Sequence, residues 1–211
     1  RMARNVFLSN ARTRLPFKGV AAFYRALLLG RQGRELNPLF YVSSSPWNLY
    51  DLLSEFFQLH DIPLGPMLFL RDWGLSREEL LPLGHRDYKL RAIESILELA
   101  PGLPFILIGD SGQEDPEIYH AVVQKYPQRI LAIYIRDVSR DLKRPEAIRA
   151  LAKEVVAAGS RLILAEDTLP MAEHAAAQGW IDPQALPEIY EEKRKDEAAT
   201  GPLERALGEV E

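Results

Sequence analysis

Two aspartates at the end of a short apolar run are spaced as ligands of a hard divalent cation would be. Asp110 and Asp115 flank a glycine-rich turn that directly follows Phe105–Ile108. Magnesium takes oxygen ligands, usually one or two of them from protein carboxylates and the rest from water or phosphate. Asp115 also precedes Pro116, which suits it to cap the next helix. The turn therefore predicts a metal site, a helix cap, or both roles together.

A run of serines follows another apolar run and is suited to bind an anion. Leu39–Val42 ends at Ser43, Ser44 and Ser45, and we expect Pro46 to open a helix, since proline is tolerated in a first turn. The hydroxyls and the exposed amides at a helix start both favour phosphate. Simple capping of that helix explains the serines equally well.

A lysine at the start of a predicted helix supplies the remaining charge. Lys89 begins the amphipathic pattern that runs to Leu99. In a shared pocket, its ammonium group would neutralise a phosphoryl oxygen and the carboxylates. Taken alone, a lysine in this position is an ordinary solvated residue.

Alternating strands and helices must position these side chains. Short apolar runs predict five strands: Leu39–Val42, Pro66–Leu70, Phe105–Ile108, Ile130–Ile135 and Arg161–Leu164. Helical spacing predicts helices at Val20–Leu29, from Pro46 to about His60, and at Lys89–Leu99, Pro116–Lys125, Pro145–Ala158 and Leu169–Gln178. The alternation indicates an α/β domain with a mostly parallel sheet, whose ligands bind beyond the carboxyl ends of the strands. The other candidates at strand ends are Ser111, Arg136, Asp137, Glu166 and Asp167.

Composition excludes several classes of protein. The 211 residues contain no cysteine and carry a net charge of −4, which excludes disulfides, thiolate metal sites and a generally basic nucleic-acid coat. No apolar run approaches the roughly 18 residues of a transmembrane segment, and no signal peptide is present. We therefore expect a cytoplasmic protein without a nucleic-acid partner. The four histidines lack the spacing of zinc ligands.

Charge is distributed unevenly along the chain. Residues 1–36 contain eight basic residues and one acid, whereas residues 181–211 contain nine acids and four bases. The basic segment is either a solvated face or a surface for an anionic substrate or lipid. From about Asp182 the regular apolar spacing ends, which predicts a loosely packed or disordered acidic tail. We thus expect one domain over 1–180 and a tail over 181–211.

Two other readings of the motifs are less consistent with the sequence. Gly109-Asp110-Ser111-Gly112 is similar to the nucleophile segment of trypsin-like proteases, but those are β-barrels and not α/β domains. A Rossmann-like nucleotide binder would need Gly-x-Gly-x-x-Gly after a strand, and no such motif occurs.

The motifs in their order resemble those of a phosphatase superfamily. Strand–Ser, then Lys, then strand–Gly-Asp-x-x-x-x-Asp resembles motifs two to four of the haloacid dehalogenase superfamily. Phe40–Tyr50, Phe105–Tyr119 and Arg129–Val138 more closely resemble the catalytic domain of the actin-patch-associated phosphatidate phosphatase family, which is related to the lipins. The resemblance covers roughly residues 5–140.

The resemblance implies a magnesium-dependent phosphomonoester hydrolase with a three-layer parallel sheet of haloacid dehalogenase type. Carried over by motif, Ser43 and Ser44 would bind the phosphoryl group, and Lys89 would balance its charge. Asp110 would ligate Mg²⁺, with Asp115 helping to hold it. Phosphatidate is the favoured substrate, met by a protein that is cytoplasmic or peripheral to a membrane.

The sequence departs from the family pattern in its first motif. The superfamily's nucleophile lies in Asp-x-Asp-x-Thr, yet no aspartate precedes Asp51. We therefore expect that the sheet lacks its first strand and that the chain by itself is inactive. The alternative is a non-catalytic phosphate- or lipid-binding domain of the same fold.

Overall fold

The computed structural model describes residues 17–46, 49–70 and 84–199. The strands are β1 (Tyr41–Pro46), β2 (Met67–Leu70), β3 (Phe105–Asp110), β4 (Ile130–Arg136) and β5 (Leu162–Ala165). The helices are α1 (Val20–Leu29), α2 (Tyr50–Leu59), α3 (His85–Leu99), α4 (Asp115–Lys125), α5 (Arg144–Ala157), α6 (Leu169–Ala177) and α7 (Leu186–Ala199), with a short 3₁₀ turn at Pro183–Ala185. All strand pairs in these residues are parallel. The predicted α/β class with an open parallel sheet is confirmed.

The chain divides into two compact units. The strand unit contains Phe40–Tyr50 and Pro66–Glu166. The helical unit contains Arg1–Leu39, Asp51–Gly65 and Asp167–Glu211. All five strands belong to the strand unit. This unit therefore contains every candidate residue at a strand end up to Glu166.

The strand unit contains two parallel sheets under a shared layer of helices. β1 pairs with β2, and β3, β4 and β5 pair in that order. α3 packs against β1 and α4, while α4 packs against β3, β4 and α5. Within the described residues no ladder joins the two sheets, and all six residues of β3 are only partly buried.

The core of the strand unit lies between the helices and β4. β4 is the most buried strand, and its Ile133, Tyr134 and Ile135 are fully buried. Ile148 and Val155 of α5 are also fully buried. Val42 of β1 packs against this same cluster, so both sheets share one core.

The expectation of a loosely packed or disordered tail from about Asp182 is wrong for the segment that the structure describes, which ends at Ala199. α7 packs against α1 and α6, and its Ile189 is fully buried. Carboxylates of α7 also accept hydrogen bonds from backbone amides at the start of α1, which have no partner within the helix: Glu192 accepts from Ala22 N at 2.8 Å, and Asp196 accepts from Gly19 N at 2.8 Å. The residues beyond Ala199 lie outside the described range, and the domain boundary near residue 180 stays a prediction.

The largest difference at a strand end concerns the serine run. Ser43, Ser44 and Ser45 lie within β1 and not after it, and β1 continues to Pro46. Pro46 therefore does not open a helix, because α2 begins at Tyr50. The β1–β2 register is irregular between Ser43 and Pro46, which is a typical way for a strand to accommodate a proline.

The other boundaries agree closely with the sequence. α1 has its predicted bounds, and the remaining described strands and helices differ from prediction by at most four residues at one end. The sequence also predicts a basic, weakly amphipathic helix over Arg1–Asn10 and an irregular segment over Arg71–Gly84. The first of these and nearly all of the second lie outside the described residues. No helix in the described part of the chain has the length and apolar character needed to cross a membrane.

Candidate functional site

A buried carboxylate at the start of α4 links the candidate lysine to the end of β3. The Asp115 side chain is 8% exposed, and its Oδ1 accepts a hydrogen bond from Lys89 Nζ, whose side chain is 13% exposed. Its Oδ2 accepts from the backbone N–H of Asp110 at 3.3 Å. The Lys89 ammonium group and the Asp110 backbone N–H therefore meet at the Asp115 carboxylate, although Lys89 is 26 residues from Asp115 in sequence.

The local sequence allows this approach because glycine follows the apolar run. A Cβ at Gly109 would overlap the Asp115 carboxylate. Asp110 Oδ1 accepts from Gly112 N at 2.8 Å, which closes an Asx-type turn. The turn thus keeps the Asp110 carboxylate at the strand end. Asp115 is the first residue of α4, whose N-cap is Glu114, so the prediction that Asp115 caps this helix is wrong.

Hydrogen bonds of Ser111 connect the turn after β3 to the end of β4. Ser111 is 2% exposed, its N–H donates to Arg136 O at 2.8 Å, and its Oγ donates to Asp137 Oδ1 at 2.9 Å. The same Oγ accepts from Val138 N at 2.8 Å and from Ser139 N at 2.9 Å. A hydroxyl with one donor and two acceptor positions is fully used by these three bonds. Ser111 is therefore a structural tie between the ends of β3 and β4.

Arg144 holds the same turn from the start of α5. Its guanidinium donates to Ser111 O at 3.1 Å, to Gln113 O at 2.6 Å, and to both carboxylate oxygens of Glu117. The bond from Arg144 lowers the pKa of Glu117 below its ordinary value, and the pairing raises the pKa of Arg144. Bidentate pairing of this kind adds geometric rigidity as well as attraction. The turn after β3 is therefore held by hydrogen bonds of Ser111 on one side and of Arg144 on the other. We call the contacts of Arg144 with Ser111, Gln113 and Glu117 the Arg144 clamp.

The residues present suit a magnesium ion supplemented by other ligands. Within the described residues, no three His, Cys, Asp or Glu side chains form a metal cluster. The two carboxylates here match the one or two that Mg²⁺ takes from protein. Because Lys89 and the Asp110 amide already engage both oxygens of Asp115, the Asp110 carboxylate is the better placed direct ligand.

The serines predicted to bind phosphate lie on a different sheet. Ser43 is half-buried on β1, in register with Phe69 of β2. Ser44 follows within the same strand. β1 and β3 share the core through Val42, and the convergence of Ser43 with Asp110 stays a prediction.

The remaining strand-end candidates have structural partners. Arg136 is in register with Asp110, and its Nε donates to Glu166 O at 3.2 Å. Asp137 is engaged by Ser111. In the helical unit, Asp167 accepts from Lys193 Nζ at 2.9 Å and from Leu169 N at 2.9 Å.

Sequence reasoning missed Arg144 and Glu117. They are 27 residues apart, and each is one charged residue among several near the start of a helix. Spacing along the chain carries no signal for such a pair. Only the parallel order of β3 and β4 brings their following helices close enough to connect them.

Comparison with known proteins gives a consistent set of matches. Residues 1–137 match the family model of the phosphatidate phosphatase APP1 catalytic domain. The chain is 33% identical over 141 residues to phosphatidate phosphatase APP1 of Saccharomyces cerevisiae, covering 67% of this chain and 23% of that protein. It is 32% identical over 164 residues to the uncharacterized protein C29B5.04c of Schizosaccharomyces pombe, covering 74% of this chain and 26% of that protein. The chain thus spans about a quarter of the length of these relatives. No solved structure matches it.

Proposed function

Because the chain belongs to the family of the phosphatidate phosphatase APP1 catalytic domain, we propose that it forms the phosphate- and metal-binding part of a magnesium-dependent phosphomonoester hydrolase. Phosphatidate is the proposed substrate, in keeping with the name of the yeast relative. The observation that carries the proposal is the ion pair of Lys89 with Asp115, at the point where Asp110 ends β3.

Each residue of this cluster has a distinct proposed task. Asp110 is the direct ligand of Mg²⁺, which when bound would neutralise charge on a phosphoryl oxygen. Asp115 fixes Lys89 and the Asp110 backbone, so its role is to position both. Lys89 presents its ammonium group to the phosphoryl oxygens. Phosphoryl transfer depends mainly on such positioning and charge neutralisation.

Ser43 is the proposed phosphoryl ligand from β1. Its hydroxyl can donate to a phosphoryl oxygen, and Ser44 adds a backbone N–H from the same strand. β1 and β3 lie under one helix layer and share a core, yet they are not hydrogen bonded to each other in the described residues. We propose that a further strand pairs between them and supplies the Asp-x-Asp-x-Thr nucleophile of the superfamily.

On this proposal, residues 1–211 alone lack the covalent route, since no aspartate precedes Asp51. The same fact favours a second candidate function, a phosphate- or lipid-binding domain without turnover. Such a domain would retain the Lys89–Asp115 cluster and bind phosphate with Mg²⁺.

The test compares the 211-residue chain with a version extended at its amino end by an Asp-x-Asp-x-Thr strand. We expect Mg²⁺-dependent phosphate release from phosphatidate only from the extended chain, with losses of about 10²- to 10³-fold in Asp110→Asn and Lys89→Met. Glu114→Ala, at the N-cap of α4, is the matched control and should retain activity.

Two results would change the proposal. Release by the 211-residue chain that Asp110→Asn abolishes would overturn the need for a further strand. Phosphate binding with Mg²⁺ but no release by the extended chain would favour the binding domain.

A further inference from the structure

The carboxylate of Asp137, one residue beyond β4, contacts the residue that follows Asp110. Its Oδ1 accepts from Ser111 Oγ at 2.9 Å, and its backbone N–H donates to Ala165 O at the end of β5 at 2.7 Å. Asp137 is half-buried, and within the described residues no cationic side chain forms an ion pair with it. Its carboxylate therefore serves the bond to Ser111 and not a charge pair.

Asp137 determines the direction in which the Ser111 hydroxyl donates. An ionised carboxylate only accepts hydrogen bonds, so the hydroxyl proton must point to Asp137 and both lone pairs of Oγ remain available. The backbone N–H groups of Val138 and Ser139 donate to this oxygen at 2.8 and 2.9 Å. Residues 137–139 thus close around one buried hydroxyl.

The position of Ser111 in turn fixes the backbone on which the Asp110 carboxylate stands. Ser111 N donates to Arg136 O at 2.8 Å, and Asp110 is in register with Arg136. On the other side of Ser111, Gly112 N donates to Asp110 Oδ1 at 2.8 Å. A shift of Ser111 would therefore move both the strand end and the turn that hold this carboxylate.

Asp137 does not complete a ligand set with the two candidate carboxylates. Within the described part of the chain, no three His, Cys, Asp or Glu side chains lie close enough together to hold a metal ion. Asp137 is thus not a third ligand beside Asp110 and Asp115. Its influence on a metal ion must pass through Ser111, as that of groups that orient metal ligands commonly does.

We propose that Asp137 is a positioning residue for Asp110. Through the Ser111 hydroxyl, it holds the turn after β3 in the conformation from which Asp110 binds Mg²⁺. The inference rests on the proposed function in so far as Asp110 is the metal ligand. The effect of Asp137 on the turn itself requires neither metal nor turnover, so it can be measured separately.

The first measurement is hydrogen exchange at the Gly112 amide of the 211-residue chain, because this N–H is bonded to the Asp110 carboxylate. Asp137→Ala removes the acceptor, and exchange at Gly112 should become about tenfold faster. The amide of Ile133, bonded to Arg161 O at 2.7 Å within the sheet, is the internal reference and should keep its rate. Asp137→Asn retains an oxygen acceptor and should stay within about twofold of the parent chain.

The second measurement is a Mg²⁺ titration of the same variants, followed by the amide chemical shifts of residues 109–113. Asp137→Ala should weaken Mg²⁺ binding about tenfold, as loss of a group that orients a ligand typically does. Asp137→Asn should bind nearly as well as the parent chain. A role of Asp137 in stability alone would lower the melting temperature without changing the affinity for Mg²⁺.

The matched control is an exposed aspartate of the following loop. Asp141 Oδ1 accepts from the backbone N–H of Lys143 at 2.9 Å, so its carboxylate is bonded within the loop and not to Ser111. Asp141→Ala removes the same charge as Asp137→Ala does. It should leave both Gly112 exchange and Mg²⁺ binding unchanged.

A double-mutant cycle tests whether Asp137 acts through Ser111. If it does, the variant with both Ser111→Ala and Asp137→Ala should exchange at Gly112 no faster than Ser111→Ala alone. Thermal melts of all variants should confirm that they remain folded. Additive effects of the two substitutions would mean that Asp137 acts by another route and would overturn the proposal.

The remaining outcomes separate this inference from the proposed function. Unchanged Gly112 exchange in Asp137→Ala, or equal effects of Asp137→Ala and Asp137→Asn, would also overturn the positioning role. If the parent chain binds no Mg²⁺, the metal-binding role of Asp110 fails. The exchange rates still decide whether Asp137 positions the turn in that case.

Discussion

Two carboxylates in different units make the same kinds of bond but are expected to serve different purposes. In the strand unit, Asp115 accepts from the Lys89 ammonium group and from a backbone N–H. In the helical unit, Glu192 accepts from the Arg25 guanidinium at 2.7 Å and from the backbone N–H of Ala22 at 2.8 Å. Each joins segments that are distant in sequence.

The Lys89–Asp115 and Arg25–Glu192 pairs differ in their burial and in the secondary-structure element next to them. The Lys89 and Asp115 side chains are far less exposed than that of Arg25, which is 32% exposed and shares its charge with the mostly exposed Glu188. Asp115 adjoins a strand end, where parallel sheets bind ligands, whereas Glu192 adjoins the start of a helix that it caps. The same bond pattern thus occurs in both units, so the role proposed for Asp115 depends on its place at a strand end and not on the bonds that it makes.

The largest expected effect comes from removing the cation at each pair. Lys89→Met should lower the free energy of unfolding by about 4 kcal/mol, because it leaves the buried Asp115 carboxylate without its charge partner. Arg25→Met should cost about 1 kcal/mol, since water can replace the guanidinium around Glu188 and Glu192. Urea denaturation at neutral pH measures both.

An exposed lysine provides the control for these two variants. Lys153→Met should stay within about 0.5 kcal/mol of the parent chain. Equal costs for Lys89→Met and Arg25→Met would remove the distinction between the two carboxylates.

Much of the strand unit could be predicted from sequence. Short apolar runs separated by helical spacing identify parallel strands, because strands covered on both faces are apolar throughout. The Gly-Asp-x-x-x-x-Asp spacing also indicated that Asp110 and Asp115 lie near each other, which the structure confirms. Lys89 was expected in the same pocket from its position before β3 and from the resemblance to a family; the structure places its ammonium group on Asp115, and its role in phosphate binding stays a prediction.

The failures have physical causes that periodicity does not reveal. Ser43 to Ser45 were expected beyond β1 because serine is typical of caps, but strand pairing with β2 extends through them. α7 was expected to be disordered because its composition is highly charged. Its order depends on one buried face around Ile189 and on ion pairs with Arg25 of α1 and with Asp167, which precedes α6, and these are tertiary contacts.

A buried isoleucine tests the ordered state of α7. Ile189→Ala should lower the free energy of unfolding by about 3 kcal/mol, because it removes fully buried side-chain volume. Lys195→Ala, at an exposed position of the same helix, should change it by less than about 0.5 kcal/mol. Similar small changes in both variants would restore the interpretation of this segment as a loosely packed tail.

Loss of the Arg144 clamp should lower the activity of the candidate site more than it lowers the stability of the fold. Arg144→Ala should lower phosphate release by the extended chain about tenfold, because a shift of the Asp110 turn by a fraction of an ångström impairs positioning. Hydrogen exchange at Ser111 and Gln113 should become faster, and a higher Mg²⁺ concentration should be needed for half-maximal rate. Arg149→Ala, at an exposed position on α5, is the control. Unaltered exchange and Mg²⁺ dependence in Arg144→Ala would show that the clamp does not position the turn.

The smallest expected effect is the pH dependence of the Arg144–Glu117 pair. Arg144 lowers the pKa of Glu117 from its ordinary value of 4.5, so the folded state binds the proton of this carboxyl less readily than the unfolded chain does. The resulting stabilisation is fully present above the unfolded pKa and is lost as the pH falls through the lowered folded pKa.

Glu117→Gln removes the charge, so the free energy by which it is less stable than the parent chain should be constant from pH 7 down to about pH 5 and should shrink at more acid pH. Because the pair is partly exposed, we expect a deficit below about 1 kcal/mol. Glu146→Gln, at an exposed position in the first turn of α5, should show no such pH-dependent difference. A Glu117→Gln deficit that persists unchanged into acid would mean that the side chain stabilises the turn through its shape and not through its charge.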